Sequence, residues 1–428
     1  MTLKLTRRTV TAGIGASLAM PWVARTPAFA AEPIVLGVPT SQTAAAGVAD
    51  HQDHLNGTTM AMEEINAAGG IMGRELKLYV VDMDVLSPEA SMQAIAACID
   101  AKVDAISNAF TFVPIPTMDA SAGYKCPYLH GNAQRAGTTA VKDDPEKYSH
   151  IFQLAPGEVN YGWTYPLWLE SVEKQGIWKP KNRKVHIIQE QIAYTQTISK
   201  AAQESIKRHG QFEVARVTDI QYPVQDWGPV IREMKEVDAA AIFVDHWVAA
   251  EYAAFCKQFV ADPVENSLVY LQYGPSQPEF LELAGSSANG FCWGTVMGVY
   301  ADEMGNAFRE KYQKRFPGVM GEVYTGIGYS IAYYLKKAWE SVGDTRDFKA
   351  VSDWIRVNPY RTVCGYVDMN NALQEGVHYP DNGFDALQTN DINKGVAQLY
   401  YQVQDAEHKI IFPSQVGNAT LQPAPWWS

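Results

Sequence analysis

Short runs of apolar residues alternate along this chain with longer stretches whose apolar positions recur every three or four residues. Residues 33–38 form the first run, and residues 56–66 carry helical spacing that stops at Ala67-Ala68-Gly69-Gly70. Glycines placed directly after the last periodic position are a helix stop signal. The pattern then predicts a strand at 75–82, a helix at 88–102, a strand at 103–107 and another at 127–130. It restarts with a helix at 159–175, a strand at 184–188 and a helix at 195–209. Strands at 212–217 and 239–244, a helix at 247–260 and a strand at 268–271 follow. Strands this short and apolar, alternating with helices, predict parallel sheets covered on both faces. Two such series predict an α/β chain of two doubly wound lobes. In open sheets of this kind ligands bind beyond the carboxyl ends of the strands. The loops after Val38, Ser107, His130, Ile188, Val244 and Leu271 are therefore where chemistry should be sought.

The first thirty residues stand outside this pattern. Arg7 and Arg8 precede a mildly apolar run at 10–23, and Ala28-Phe29-Ala30 has the small-residue form of a cleavage site. Together they read as a secretory signal, residues 1–30. The run is shorter than the roughly 20 residues a spanning helix needs, and no later stretch qualifies. Thr6-Arg7-Arg8-Thr9-Val10 resembles a twin-arginine signal, with Val10 where a bulkier residue is usual; both that route and ordinary secretion stay open. Cleavage after Ala30 would leave 398 residues, enough for two or three domains. It would also remove four basic residues and take the net charge from −12 to −16. So acidic a surface opposes nucleic acid and anionic lipid as partners.

Cys98, Cys126, Cys256, Cys292 and Cys364 are an odd set without C-x-x-C spacing. An exported protein can hold one disulfide among them; small buried apolar side chains are the other reading. Asp50-His51-Gln52-Asp53-His54, just before the helix at Asn56, puts two imidazoles among two carboxylates, residue types that ligate metals. A polar helix entry on a cleft rim, with Asp near the positive end of the helix, accounts for the same residues. No metal and no cofactor is expected.

The segment Glu63-Glu64-Ile65-Asn66-Ala67-Ala68-Gly69-Gly70-Ile71-Met72-Gly73-Arg74, followed by a strand ending Val81-Asp82, resembles the hallmark stretch of type I periplasmic solute-binding proteins of ABC transporters, the branched-chain amino acid (Leu/Ile/Val) branch in particular. The likeness runs from about Pro33 to Tyr366 and includes residues 187–194 and Tyr273-Gly274-Pro275; residues 372–394 look like an insertion. The resemblance implies two discontinuous lobes joined by three chain crossings, near 155–157, 290–294 and 364–368. Lobe one would be residues 31–156 plus 293–364, and lobe two 157–292 plus 365–428. The hallmark glycines would serve the scaffold, permitting left-handed turns between helix and strand.

The resemblance also implies which residues face the cleft. Phe110 and Thr111 lie in the loop before a helix opened by Pro114, with Thr111 where the family offers a hydroxyl to a ligand carboxylate; capping that helix is its alternative role. Asn132, Ala133 and Gln134 occupy the next loop, Gln134 with an amide that both donates and accepts. Nearby His130 reads as a structural histidine. On the second lobe Tyr194 matches the family's ligand-facing tyrosine, able to close its ring over apolar atoms while its hydroxyl reaches a polar group. Trp247, after Asp245, is the expected lid. Tyr273 and Ser276 follow another strand, and Ser276 stands where amino-acid binders commonly carry an acid for the ligand ammonium. Either Asp245 or Glu190 substitutes, or the ligand lacks an α-ammonium. Asp50, His51 and Tyr324 complete the expected lining. The implied function is capture of a small polar solute (an amino acid, an amide or urea-like compound, or a small carboxylate) by hinge closure, for a membrane permease. The protein would be a periplasmic monomer, without direct membrane insertion and without catalysis. An exported α/β hydrolase such as an amidase, or a ligand-sensing receptor domain of the same fold, is the rival class. Neither a G-x-S-x-G elbow nor an H-E-x-x-H pair appears to favour hydrolysis.

Overall fold

The computed structural model describes residues 31–44 and 46–427, so the signal expected at 1–30 lies outside the described residues. Lobe 1 opens with β1 (Ile34–Thr40), α1 (Val48–Ala67), β2 (Leu76–Asp82), α2 (Pro88–Asp100), β3 (Ala105–Asn108), α3 (Pro114–Ser121), β4 (Tyr128–His130), α4 (Arg135–Asp143) and β5 (Ile151–Gln153). Its five strands are all parallel, in the order β2-β1-β3-β4-β5. Lobe 2 follows with α5 (Val159–Lys174), β6 (Lys184–Glu190), α6 (Ala193–His209), β7 (Glu213–Ile220), α7 (Gly228–Val237), β8 (Ala241–Asp245), α8 (Ala249–Ala261), β9 (Leu268–Gln272), α9 (Pro278–Ala284) and β10 (Cys292–Thr295). The chain then returns to lobe 1 for α10 (Glu303–Arg315), α11 (Tyr324–Val342) and α12 (Phe348–Val357). It ends with β11 (Tyr360–Thr362), β12 (Gly365–Val367), β13 (His378–Tyr379), β14 (Val396–Ala397), β15 (Leu399–Gln404) and β16 (Glu407–Phe412).

The second sheet has seven strands in the order β16-β15-β10-β9-β8-β6-β7. β15 runs antiparallel to β10, and β16 antiparallel to β15, so a hairpin widens an otherwise parallel sheet. Two doubly wound lobes are thus present, the type I periplasmic binding protein fold. The expected boundary at 292/293 lies within β10, whose residues all pair within the larger sheet.

Local chemistry explains the boundaries. Ser87 caps α2 by accepting from Ala90 N, with Pro88 at the first helical position, and Asp302 and Asp347 cap α10 and α12 in the same way. The hallmark glycines Gly69, Gly70 and Gly73 all have positive φ, the conformation that only glycine enters freely. α1 packs along α11 at close range because Gly57 has no side chain. A Cβ there would lie 1.9 Å from the Thr325 carbonyl oxygen. Lobe 2 is cored by flat aromatic pairs, Trp293 on Tyr401 (3.9 Å between ring centres) and Trp168 on Tyr400 (4.6 Å). All five cysteines are buried free thiols, so no disulfide forms among them. Among the described residues no helix is long and apolar enough to cross a membrane.

Candidate functional site

Strand ends, helix starts and two crossings converge on one chamber between the lobes. Lobe 1 supplies Phe110 and Phe112 from the loop after β3, Asn132, Ala133 and Gln134 from the loop after β4, and Val323, Tyr324 and Ile327 from the start of α11. Lobe 2 supplies Tyr161, Tyr194, Trp247 and Tyr273. The crossings add Ala155 and Thr295 to Met297. None of the described residues lining the chamber carries a charge. The surface is aromatic and apolar, dotted with neutral hydrogen-bonding groups, which is the usual make-up of a small-molecule pocket.

The lobes are closed over this space. Asp50 on α1 accepts from the Tyr273 hydroxyl (2.6 Å) and from the Gln277 amide (2.7 Å), both on lobe 2. Glu322 N donates to the Ser276 carbonyl across the same gap (2.9 Å). Phe112 meets Trp247 with ring centres 5.2 Å apart. Phe112, Gln134, Tyr194 and Trp247 also border an outer space, so they form the partition between the chamber and the cleft mouth. Tyr273 is held at φ 55°, ψ −55°, a backbone conformation costing about 1–3 kcal/mol. The strain carries its ring to the chamber and its hydroxyl to Asp50.

Of the expected cleft residues, Phe110, Asn132, Ala133, Gln134, Tyr194, Trp247, Tyr273 and Tyr324 line the chamber together. Thr111, Asp245, Ser276, Asp50 and His51 lie behind its walls. Thr111 donates its hydroxyl to Val85 O (3.2 Å) and accepts from Val113 N (3.2 Å), fixing the entry to α3. Asn132 bonds both backbone groups of Thr111 and donates to Gln134 Oε1 (3.4 Å), which leaves the Gln134 NH2 as the freer donor of that wall. Ser276 sits in a buried 3-10 turn, its hydroxyl without a hydrogen-bond partner. Asp50 to His54 form the first turns of α1 rather than a loop before it, because the helix starts at Val48. His51 bonds Phe110 O (3.0 Å) and His54 meets Ser107 (3.1 Å); they tie α1 to β3 and its loop. Sequence reasoning passed over Phe112, Tyr161 and the stretch from Thr295 to Met297. β10 gave no signal of its own, since Cys292-Trp293-Gly294-Thr295 is brief and interrupted by glycine.

Burial dominates the electrostatics. It pushes Asp50 up to about 7 despite the two donors that favour its ionised form, and holds His51 at about 4 and His54 and His130 at about 3. Asp245 is fully buried with both oxygens unpartnered; burial, then the nearby Glu190, raises it far above the usual carboxylate range. Burial alone would depress His246, but Glu190 (2.7 Å) and Glu251 (3.1 Å) outweigh it and favour the imidazolium. Tyr194 accepts from the Gln272 amide (3.1 Å), and the Tyr161 hydroxyl lies 3.3 Å from that of Thr295. These contacts set the polar points of the chamber floor.

A neutral, aromatic chamber shut between two hinged lobes, and built from both, defines a two-lobed solute-binding protein. The chain belongs to the periplasmic binding protein family, whose sequence profile matches residues 33–379. It is 29% identical to a protein from Silicibacter pomeroyi described as a candidate branched-chain amino acid ABC transporter; that match covers 92% of this chain and 100% of the other, with a TM-score of 0.83. The substrate-binding protein LivJ of Streptococcus pneumoniae, solved with isoleucine, shares the fold at 16% identity and a TM-score of 0.69, over 89% of this chain and 100% of that one. An "amino acid binding protein" of Pseudomonas aeruginosa is 25% identical over 363 residues, 78% of this chain and 84% of its own.

Proposed function

We propose that this chain is the periplasmic solute-binding component of an ABC importer. It closes its lobes over one small solute and presents the closed form to a membrane permease, acting as a monomer and without catalysis. The observation that carries this reading is the chamber itself, walled by both lobes and by the crossings that must bend for it to open.

The lining points to a solute with a flat apolar body and a carboxylate or amide end. Phe110, Tyr161, Tyr194 and Trp247 suit the body. The Gln134 amide and the start of α11, at the positive end of its dipole, suit the polar end, whereas the start of α4 is already occupied by the Glu158 carboxylate. An α-ammonium fits less well, although relatives are described as amino-acid binders. A buried ammonium without a counter-charge costs several kcal/mol. Ser276 offers no charge, Asp50 is engaged by Tyr273 and Gln277, and burial disfavours the ionised form of Asp245.

A thermal-shift screen of four groups, α-amino acids, amides, urea-like compounds and aromatic carboxylates, tests this directly. A true ligand at a hundredfold excess over its Kd stabilises the native state by about 2.7 kcal/mol. A shift confined to compounds lacking an α-ammonium supports the proposed chemistry. A shift confined to α-amino acids rejects that chemistry while keeping the class, and catalytic turnover of any hit rejects the class.

A further inference from the structure

The third crossing between the lobes carries a segment of its own. Between β12 and β14 the chain first adds itself to the free edge of the lobe 1 sheet: Gln153 N donates to Gln374 O (3.0 Å), and Gly376 N to Gln153 O (2.9 Å). Glu375, 1% exposed, then accepts from the Thr138 hydroxyl and the Gly157 N–H (2.7 Å each) and pairs with Arg135 at 3.2 Å. Arg135 also pairs with Asp385 at 2.5 Å.

From there the segment passes to lobe 2. The Asn382 amide donates to Asn160 (3.2 Å) and Thr164 (3.1 Å) on α5. Phe384 lies flat on Trp163 of α5, ring centres 5.1 Å apart and planes within 6°. Arg208 of α6 covers Phe384 at 4.4 Å and donates to Gly383 O (2.8 Å). The two anchorages differ in kind. The one on lobe 1 is a buried carboxylate in a hydrogen-bonded network; on the other side His378 and Tyr379 pair with β14, while Asn382 and Phe384 are only half-buried. The contacts of Asn382 and Phe384 with α5 and α6 are therefore the ones able to part.

Arg135 links this segment to the chamber. It directly follows Gln134, and its backbone N–H donates to Glu158 (2.6 Å), whose own N–H donates to Ala133 O (3.1 Å). The Ala133–Gln134 wall is thus tied to the first crossing through Glu158 and to the third through the guanidinium.

We propose that residues 374–388 form a strap across the hinge: Arg135 and Glu375 fasten it to the chamber wall of lobe 1, and Asn382 and Phe384 dock it on lobe 2, biasing the lobes toward closure. Arg135 is a positioning residue, acting on solute through Gln134. A contact made in the closed arrangement and lost in the open one raises the closed fraction, and apparent affinity rises in proportion.

The strap rests on the hinged-lobe reading but not on the identity of the solute, so the test uses unliganded protein. Spin labels attach at Gln93→Cys on α2 and Lys257→Cys on α8, both exposed, while the five native thiols are buried. Pulsed dipolar spectroscopy then gives the interlobe distance distribution. Phe384→Ala, which removes a half-exposed stack and leaves the lobe 1 network intact, should raise the ratio of open to closed molecules by about two- to tenfold. Arg135→Gln should open the lobes as well, and Arg135→Lys, which keeps a cation for Glu375, should restore part of the closed population. A lowered melting temperature with unchanged distances in Phe384→Ala would reduce the segment to a structural element and overturn the proposal. Equal opening by Arg135→Lys and Arg135→Gln would remove Arg135 from it. A solute screen that finds no ligand would count against the transport reading and leave this distance measurement as decisive as before.

Discussion

Asp50 holds the lobes together while standing almost wholly out of water, and Asp50→Asn separates the two effects. The wild-type carboxyl accepts from Tyr273 and Gln277 across the cleft, yet its burial raises it from 3.8 to about 7. A carboxyl whose folded-state pKa is raised binds its proton more tightly folded than unfolded, so its contribution is fully present below about 4 and is lost as pH rises through 7. A rise of roughly three units at 1.36 kcal/mol per unit amounts to about 4 kcal/mol. Asn is neutral at every pH and contributes no such slope. Glu279 is present in both proteins, and Asp53, which the Asp50 charge helps to raise, is relieved in the variant and adds to the difference in the same direction. Urea unfolding of both proteins from pH 4 to pH 8 should therefore show the wild type losing about 4 kcal/mol relative to Asp50→Asn, most of it between pH 4 and 7. A difference that grows with pH would mean that the two donors outweigh burial, and a flat difference would mean that Asp50 is well solvated. Either result refutes the reasoning.

Two further predictions concern the scaffold. Gly57→Ala should lower stability by about 1–3 kcal/mol or more, read as a lower urea midpoint, because its methyl would meet the Thr325 carbonyl and push α1 from α11; an unchanged midpoint would show that the helices have room to spare. The five cysteines should resist a thiol reagent in the folded protein and react fully after denaturation, since burial raises all of them, Cys98 to about 12. Rapid labelling of the folded protein would show that a thiol is accessible.

The doubly wound fold was legible because its buried strands are short apolar runs and its helices end on glycine or begin on capping side chains. The start of α1 was not, because its first two turns, Asp50 to His54, bury polar side chains that a hydrophobic pattern reads as loop. The hairpin of β15 and β16 escaped notice for a related reason: β15 is buried along nearly its whole length and shows no alternation. The resemblance named Tyr194, Trp247 and Tyr273, which are among the residues that line the chamber. Position along a loop did not reveal which side chains turn inward. Thr111 satisfies its own loop and Ser276 is folded into a buried turn, while Phe112, one residue past Thr111, reaches the chamber. The carboxylates and histidines at the start of α1, expected as a polar helix entry on the cleft rim, are instead buried and tie α1 to the β3 loop and to lobe 2.

The most direct test of solute capture between the lobes is calorimetric titration of the best compound from the thermal screen into the wild type, Tyr194→Ala and Trp247→Ala. One molecule should bind per wild-type chain, with affinity falling at least about tenfold in each variant, as expected when a buried aromatic contact worth over 1.4 kcal/mol is removed. Undiminished affinity in both variants would place the solute elsewhere and contradict the account.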